Sequence, residues 1–239
     1  MEKPVIIALD FVNAKETNEF LDNFEGQNDL WVKVGMELFY GEGPNLIKNL
    51  RDRGLHIFLD LKLYDIPNTV RQAMKQIGRL GVELTTVTGL GGSQMIKAAK
   101  DGLVSGAFEV GVQKPKLLAI TQLTSMTEEA MHETLQNDRA SMVDSVVHLA
   151  KLAARAGADG VISSALEAAI IHQQTSADFL TINPGIRLQS DSLDDQVRVV
   201  TPRKAAEQGS NGIVVGRSIT RAKNPLAAYQ KVKIEFEQE

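Results

Sequence analysis

Val5-Ile6-Ile7-Ala8-Leu9-Asp10 is the stretch on which the fold turns. Five apolar residues in a row leave no polar face. An extended chain of this kind is covered on both sides, as the strands of a parallel sheet are. The run then ends on an aspartate. Ile6, Ala8 and Asp10 share one face by the two-residue strand period, so a carboxylate stands at the end of an apolar row. Similar short runs recur at 30–35, 56–62, 84–89, 116–121, 160–164, 178–183 and 212–216, each expected to be a strand like 5–10. Helical patterns lie between them, for example at 67–80, 93–105, 139–156 and 202–208. Gly81, Gly157 and Gly209 follow three of these, where glycine commonly ends a helix.

Eight strand–helix units in 239 residues fit one (β/α)8 TIM barrel, expected to span 1–239 as a single domain. The rival is a doubly wound open sheet. It uses fewer strands for this length, and no Gly-x-Gly-x-x-Gly follows the first strand. No linker, low-complexity tract or strong repeat divides the chain.

Composition removes several function classes. With 43% hydrophobic residues the chain is too apolar for disorder, and its length buries a core without staples. It has no cysteine, hence no disulfide, no thiolate metal site and no cysteine nucleophile. That suits a reducing cytoplasm. A net charge of −4 without a Lys/Arg block argues against nucleic acid as a partner. Met1-Glu2-Lys3-Pro4 runs straight into a strand pattern, unlike a signal peptide, and no apolar run approaches the ~20 residues that span a bilayer. A soluble cytoplasmic protein is expected. The histidines His56, His132, His148 and His172 show no i, i+4 pairing, and no zinc site or Gly-x-Ser-x-Gly elbow is present. Trp31 reads as barrel packing.

In such barrels chemistry gathers at the C-terminal ends of the strands. Asp10, Lys33, Asp60 and Lys62 all fall at such ends and are expected to converge above the core. Separately, each also reads as a solvated strand end. Asp60-Leu61-Lys62-Leu63-Tyr64-Asp65 is the sharpest constellation, with a lysine between two carboxylates. If both carboxylates approach it in space, they favour the charged ammonium. In a closed site it can give a proton to a developing carbanion. A structural ion pair has the same spacing. Asp65 also reads as a cap for the helix that Pro67 opens.

Pro184-Gly185-Ile186-Arg187 and Gly216-Arg217-Ser218 follow the last two strands. Barrels often bind phosphate there: glycine lets backbone N–H groups approach, and arginine adds a charged fork. The polar loop 187–200, with Gln189, Asp191, Asp194, Asp195 and Gln196, reads as a closing lid or as plain surface. Thr124 and Ser125, in Gln122-Leu123-Thr124-Ser125-Met126, read as contacts to a ligand's amide edge or as helix caps.

These residues together resemble the orotidine 5′-phosphate decarboxylase family, in its stand-alone bacterial form. The resemblance runs from Ala8-Leu9-Asp10 to the last strand. Its most specific string is Asp60-x-Lys62-x-x-Asp65-Ile66-Pro67-Asn68-Thr69. Pro184-Gly185-Ile186-Arg187, Asp195-Gln196, Thr201-Pro202 and Val215-Gly216-Arg217 follow in the family's order. Asn183 stands where threonine is more usual, away from any expected ligand contact.

The resemblance implies conversion of orotidine 5′-monophosphate to uridine 5′-monophosphate and CO2, the last step of de novo pyrimidine synthesis, with no metal or organic cofactor. It implies a homodimer with shared active sites. Asp10 and Lys33 correspond to ribose-hydroxyl contacts, with Lys33 also in the charged network. Asp60 corresponds to the carboxylate set against the substrate carboxylate, and Lys62 to the proton donor to C6. Asp65 and Thr69 correspond to the pair reaching into the partner's site. Thr124 and Ser125 look like pyrimidine contacts, and Gln196 like a bridge from base to phosphate. Arg187, Gly216 and Arg217 look like the phosphate holders, and Pro184 like a further substrate contact.

A related family, the 3-keto-gulonate 6-phosphate decarboxylases, shares the Asp-x-Lys-x-x-Asp spacing but uses magnesium. Its members resemble one another in a glutamate near the end of the second strand. Lys33 occupies that place here, and Ile66-Pro67-Asn68-Thr69 favours the nucleotide enzymes. A non-catalytic nucleotide-binding barrel is the other alternative, and an intact Asp60, Lys62 and Asp65 set argues against it.

Overall fold

The computed structural model describes residues 3–189 and 199–237. Its first elements are β1 (Val5–Leu9), α1 (Ala14–Leu21), β2 (Trp31–Val34), α2 (Met36–Glu42), α3 (Pro44–Asp52), β3 (His56–Leu63) and α4 (Pro67–Arg79). Next come β4 (Leu84–Thr88), α5 (Gly92–Glu109), β5 (Lys116–Ile120), α6 (Glu128–Leu135), α7 (Met142–Arg155) and β6 (Gly160–Ile162). The chain continues with α8 (Ala168–Gln174), β7 (Leu180–Asn183), α9 (Pro202–Glu207), β8 (Gly212–Val215), α10 (Arg217–Thr220) and α11 (Pro225–Glu237).

The strands pair in parallel in chain order, and β8 returns to β1, closing a (β/α)8 barrel. The five apolar residues of β1 now divide. Ile6 and Ala8 point into the barrel with Phe58, Leu118, Ile182 and Val214. Val5, Ile7 and Leu9 point outward, under the helices. Each fully buried aliphatic side chain contributes roughly 1.5–3 kcal/mol, so both faces of β1 are held by burial.

Element ends depart from the sequence reading by a few residues, for local reasons. The helix expected at 139–156 starts at Met142 because Ser141 caps it, in a reciprocal capping box with Asp144. The strand expected at 160–164 stops at Ile162, since Ser164 caps a following turn with Glu167. The strand expected at 212–216 stops at Val215, where Gly216 departs at φ −102° and ψ −106°. The helix expected at 93–105 runs on to Glu109. The polar connection after Met126 holds α6, capped by Thr127 rather than by Thr124 or Ser125.

Helices α4 and α5 approach to backbone contact. A Cβ on Gly102 would lie 2.1 Å from the Arg71 carbonyl oxygen, and one on Gly106 2.0 Å from that of Lys75. Lys75 and Arg79 pair with Glu109 across the same seam and hold its carboxyl below the usual carboxylate range.

Candidate active site

Adjacent strands deliver alternating charges to one end of the barrel. Lys33, on β2, places Nζ 3.2 Å from Asp10 Oδ1, just past β1, and 3.9 Å from Asp60 Oδ2 on β3. Lys62 Nζ lies 2.8 Å from that same Asp60 oxygen. Asp60 is thus a buried carboxylate facing two ammonium groups. A buried charge persists when it is paired and hydrogen-bonded, and here both conditions hold. The other oxygen, Oδ1, accepts a hydrogen bond of 2.9 Å from the Thr86 hydroxyl on β4.

Lys62 reaches this position through an irregular backbone. The β3–β4 register shifts between Leu59 and Leu63, and Lys62 has a φ of 51°, in the left-handed region. Such a conformation costs about 1–3 kcal/mol in a residue other than glycine, and clusters at functional sites. The Lys62 N–H leaves the strand ladder and donates to Thr86 Oγ1 at 2.9 Å.

Asp60 and Lys62 form one wall of a cavity of about 210 Å³ that Gln122, Thr124, Ser125 and Pro184 complete. A larger cavity, about 460 Å³, opens at the other end beside Trp31, His56 and Lys116. Those residues begin their strands. Barrel chemistry belongs at the strands' C-terminal ends, so the smaller cavity is the candidate site. Trp31 stacks on His56, with ring centroids 4.8 Å apart, and packs against the inner core.

In the loop after β7, Gly185 takes a φ of 80° and the next residues join Val200, with Arg187 N–H donating to its carbonyl at 3.0 Å. The Arg187 guanidinium is buried, with Nη1 donating to the Ile186 carbonyl at 3.0 Å. Gly216 adjoins Asp10: a Cβ there would stand 3.8 Å from Asp10 Oδ2. Arg217 opens α10 directly after it.

Of the two carboxylates that flank Lys62 in sequence, only Asp60 meets it among the described residues. Asp65 is exposed, its Oδ1 accepts the Ile66 N–H at 2.6 Å, and it makes no ion pair among the described residues. The left-handed turn at Lys62 sends the lysine inward, and the chain carries Asp65 away. Asp65 does not cap α4 either, whose N-terminus has no side-chain cap. Thr69 is exposed on the first turn of that helix. Gln196 lies outside the described residues.

Three polar residues escaped the sequence reading. Thr86 joins the charged cluster, and its inward register could have been counted from Leu84 by the strand period. Ser163 lines the cavity, and Asn183 Nδ2 donates to its carbonyl at 2.9 Å. Gln122 also lines it, while its Nε2 donates to Ser145 Oγ at 2.9 Å. No local pattern distinguishes these two from ordinary core polar groups. Among the described residues no group of three His, Asp or Glu side chains is placed to hold a metal ion. No described helix is long and apolar enough to cross a membrane.

Comparison with known proteins identifies the family. The profile of the orotidine 5′-phosphate decarboxylase / HUMPS family matches residues 3–232. An orotidine 5′-phosphate decarboxylase of Latilactobacillus sakei is 53% identical over 237 residues, covering 99% of each chain. One from Listeria monocytogenes is 52% identical over 236 residues, again 99% of each. The crystal structure of orotidine 5′-phosphate decarboxylase from Lactobacillus acidophilus superimposes with a TM-score of 0.88 at 48% identity, covering 99% of this chain and 100% of that one. With about half of its residues shared over nearly its whole length, the chain belongs to the orotidine 5′-phosphate decarboxylase / HUMPS family.

Proposed function

We propose that this protein decarboxylates orotidine 5′-monophosphate to uridine 5′-monophosphate and CO2, without metal or organic cofactor, closing de novo pyrimidine synthesis in the cytoplasm. One observation carries the reading: the Lys62 ammonium and the buried Asp60 carboxylate meet 2.8 Å apart on the wall of the cavity.

The chemistry follows from that pair. Breaking the bond between C6 and the carboxylate leaves an electron pair in an sp² orbital that the ring delocalises poorly. The uncatalysed reaction is therefore very slow, and catalytic stabilisation belongs near the top of the ~8–23 kcal/mol range. Lys62 supplies a positive charge to the developing carbanion and then transfers its proton to C6. The lysine regains a proton from solvent after product leaves. Asp60 orients that ammonium and presents like charge to the substrate carboxylate.

Remote groups hold the rest of the nucleotide. Asp10 and Lys33 take the ribose hydroxyls, and Thr124 and Ser125 the pyrimidine edge. Arg187, Gly216 and Arg217 hold the phosphate, Pro184 adds a substrate contact, and Gln196 bridges base and phosphate. Phosphate binding far from C6 lowers the barrier when its energy is used to close the site.

The protein acts as a homodimer in which Asp65 and Thr69 complete the partner's site. Asp65 is exposed and pairs with no lysine among the described residues, which supports this reading. Val12, Tyr40, Tyr64 and Ile66 are also exposed, on the connections that follow the neighbouring strands β1, β2 and β3. Exposed apolar side chains gathered on one rim mark an association surface.

Loss of orotidine 5′-monophosphate absorbance, followed with and without chelator, tests the activity. Turnover unaffected by chelation is expected. No turnover refutes the proposal. Turnover lost to chelator and restored by magnesium refutes the cofactor-free mechanism. Sedimentation velocity tests assembly, and a monomer at working concentration refutes the shared site.

A further inference from the structure

Three threads meet at one buried hydroxyl. The β3–β4 register runs Leu59 opposite Thr85, then Leu63 opposite Val87. Three residues on β3, Asp60 to Lys62, thus lie opposite Thr86 alone on β4. Thr85 and Thr86 both repair this break. Thr85 Oγ1 donates to the Leu59 carbonyl at 2.9 Å, just before it. Thr86 Oγ1 accepts from Lys62 N–H and donates to Asp60 Oδ1, each at 2.9 Å.

The direction of the second bond follows from the first. A peptide N–H only donates, so the Thr86 oxygen accepts from Lys62. Its single proton is left for a carboxylate that only accepts. Asp60 Oδ1 is thereby occupied by a neutral donor, and Oδ2 is left to the Lys33 and Lys62 ammonium groups. The same hydroxyl therefore sets the plane of the Asp60 carboxylate and gives the left-handed Lys62 backbone its hydrogen-bond partner.

We propose that Thr86 is the positioning residue of the decarboxylation, holding Asp60 and Lys62 in the geometry of proton transfer through one shared hydroxyl. The inference rests on the decarboxylase reading above. Thr86 is fully buried, and it acts through its two neighbours rather than on the nucleotide. Without the hydroxyl, the buried Asp60 oxygen and the half-buried Lys62 N–H lose their partner at once. The carboxylate is then free to turn its vacant oxygen toward Lys62, and the lysine to relax from φ 51°. Misplacement by about an ångström costs up to about a hundredfold when it falls on the reacting groups. The phosphate and ribose contacts stand on other strands, so binding is spared.

The test compares Thr86→Val, which keeps the shape and removes the hydroxyl, with Thr86→Ser, which keeps the hydroxyl. Thr86→Val is expected to lower kcat about ten- to a hundredfold, while KM and the affinity for uridine 5′-monophosphate stay within about threefold. Thr86→Ser is expected to return kcat to within about threefold of the starting protein. Should Thr86→Val fail to fold, Thr86→Cys is read against Thr86→Ser in the same way, because a thiol is a weak donor and acceptor. Equal kcat with and without the hydroxyl overturns the inference. So does a parallel loss of kcat and nucleotide affinity that serine does not repair, since that is the mark of a purely structural threonine. An unsubstituted protein that leaves orotidine 5′-monophosphate unchanged overturns the decarboxylase reading, and this inference with it. An active one with an equally active Thr86→Val overturns this inference alone.

Discussion

The Lys62 ammonium meets Asp60 Oδ2 at 2.8 Å although both side chains spring from one strand, only two residues apart. In a regular strand such residues share a face but are offset by about 6–7 Å along it. The shift of register after Leu59 and the left-handed φ at Lys62 remove that regularity. Backbone strain and the charge pair are thus one feature, and the hydrogen bonds of Thr86 oppose its relaxation.

Replacing Lys62 by alanine removes both the cation and the proposed proton donor. Positioned proton transfer contributes about 10²–10⁴-fold, so turnover should fall by at least about a hundredfold. Product binding should remain measurable by calorimetry, because the phosphate contacts lie elsewhere. Near-normal turnover would remove Lys62 from the reaction.

Arg217 follows Gly216 at the end of β8. Arg217→Ala should weaken uridine 5′-monophosphate about ten- to a hundredfold, the effect of losing a charged hydrogen bond worth about 1.5–3 kcal/mol. Uridine, which has no phosphate, should bind equally to both forms. Unchanged affinity for the nucleotide refutes a phosphate role.

The α4–α5 seam predicts a defect in stability rather than activity. A Cβ at position 106 would stand 2.0 Å from the Lys75 carbonyl oxygen, a backbone atom that cannot move alone. Gly106→Ala should therefore overpack the seam by about 1–3 kcal/mol and lower Tm by roughly 2–12 °C. Calorimetric scans check this, and an unaltered Tm means the helices part freely.

Tyr229 is buried, edge-on to Phe24 at 5.8 Å between centroids. Burial, with the Glu237 and Asp29 carboxylates adding to it, raises its phenol above the ordinary 10.0. A raised value means the folded state favours the neutral phenol. That stabilisation is complete below pH 10 and fades as pH climbs through the raised value. Alkaline titration should show a late tyrosinate component that appears as helical circular dichroism is lost, and that Tyr229→Phe lacks. A late component persisting in Tyr229→Phe assigns it elsewhere.

Val5 to Leu9 announced the barrel because side-chain direction in a strand alternates by rule, and a strand apolar on both faces must be covered on both. By the same local rule Asp10, Asp60 and Lys62 were legible as charges at strand ends. Local rules end where the backbone stops being regular. Asp60 and Asp65 flank Lys62 alike in sequence, yet only Asp60 meets it within the chain. The shared hydroxyl of Thr86 lies 24 residues from Lys62 and 26 from Asp60, so no window of sequence contains the bond. The order of amino acids determined which residues reach the mouth of the barrel, since that depends on a two-residue period. Tertiary structure alone decided which of them touch, because contact depends on register between strands and on one strained turn.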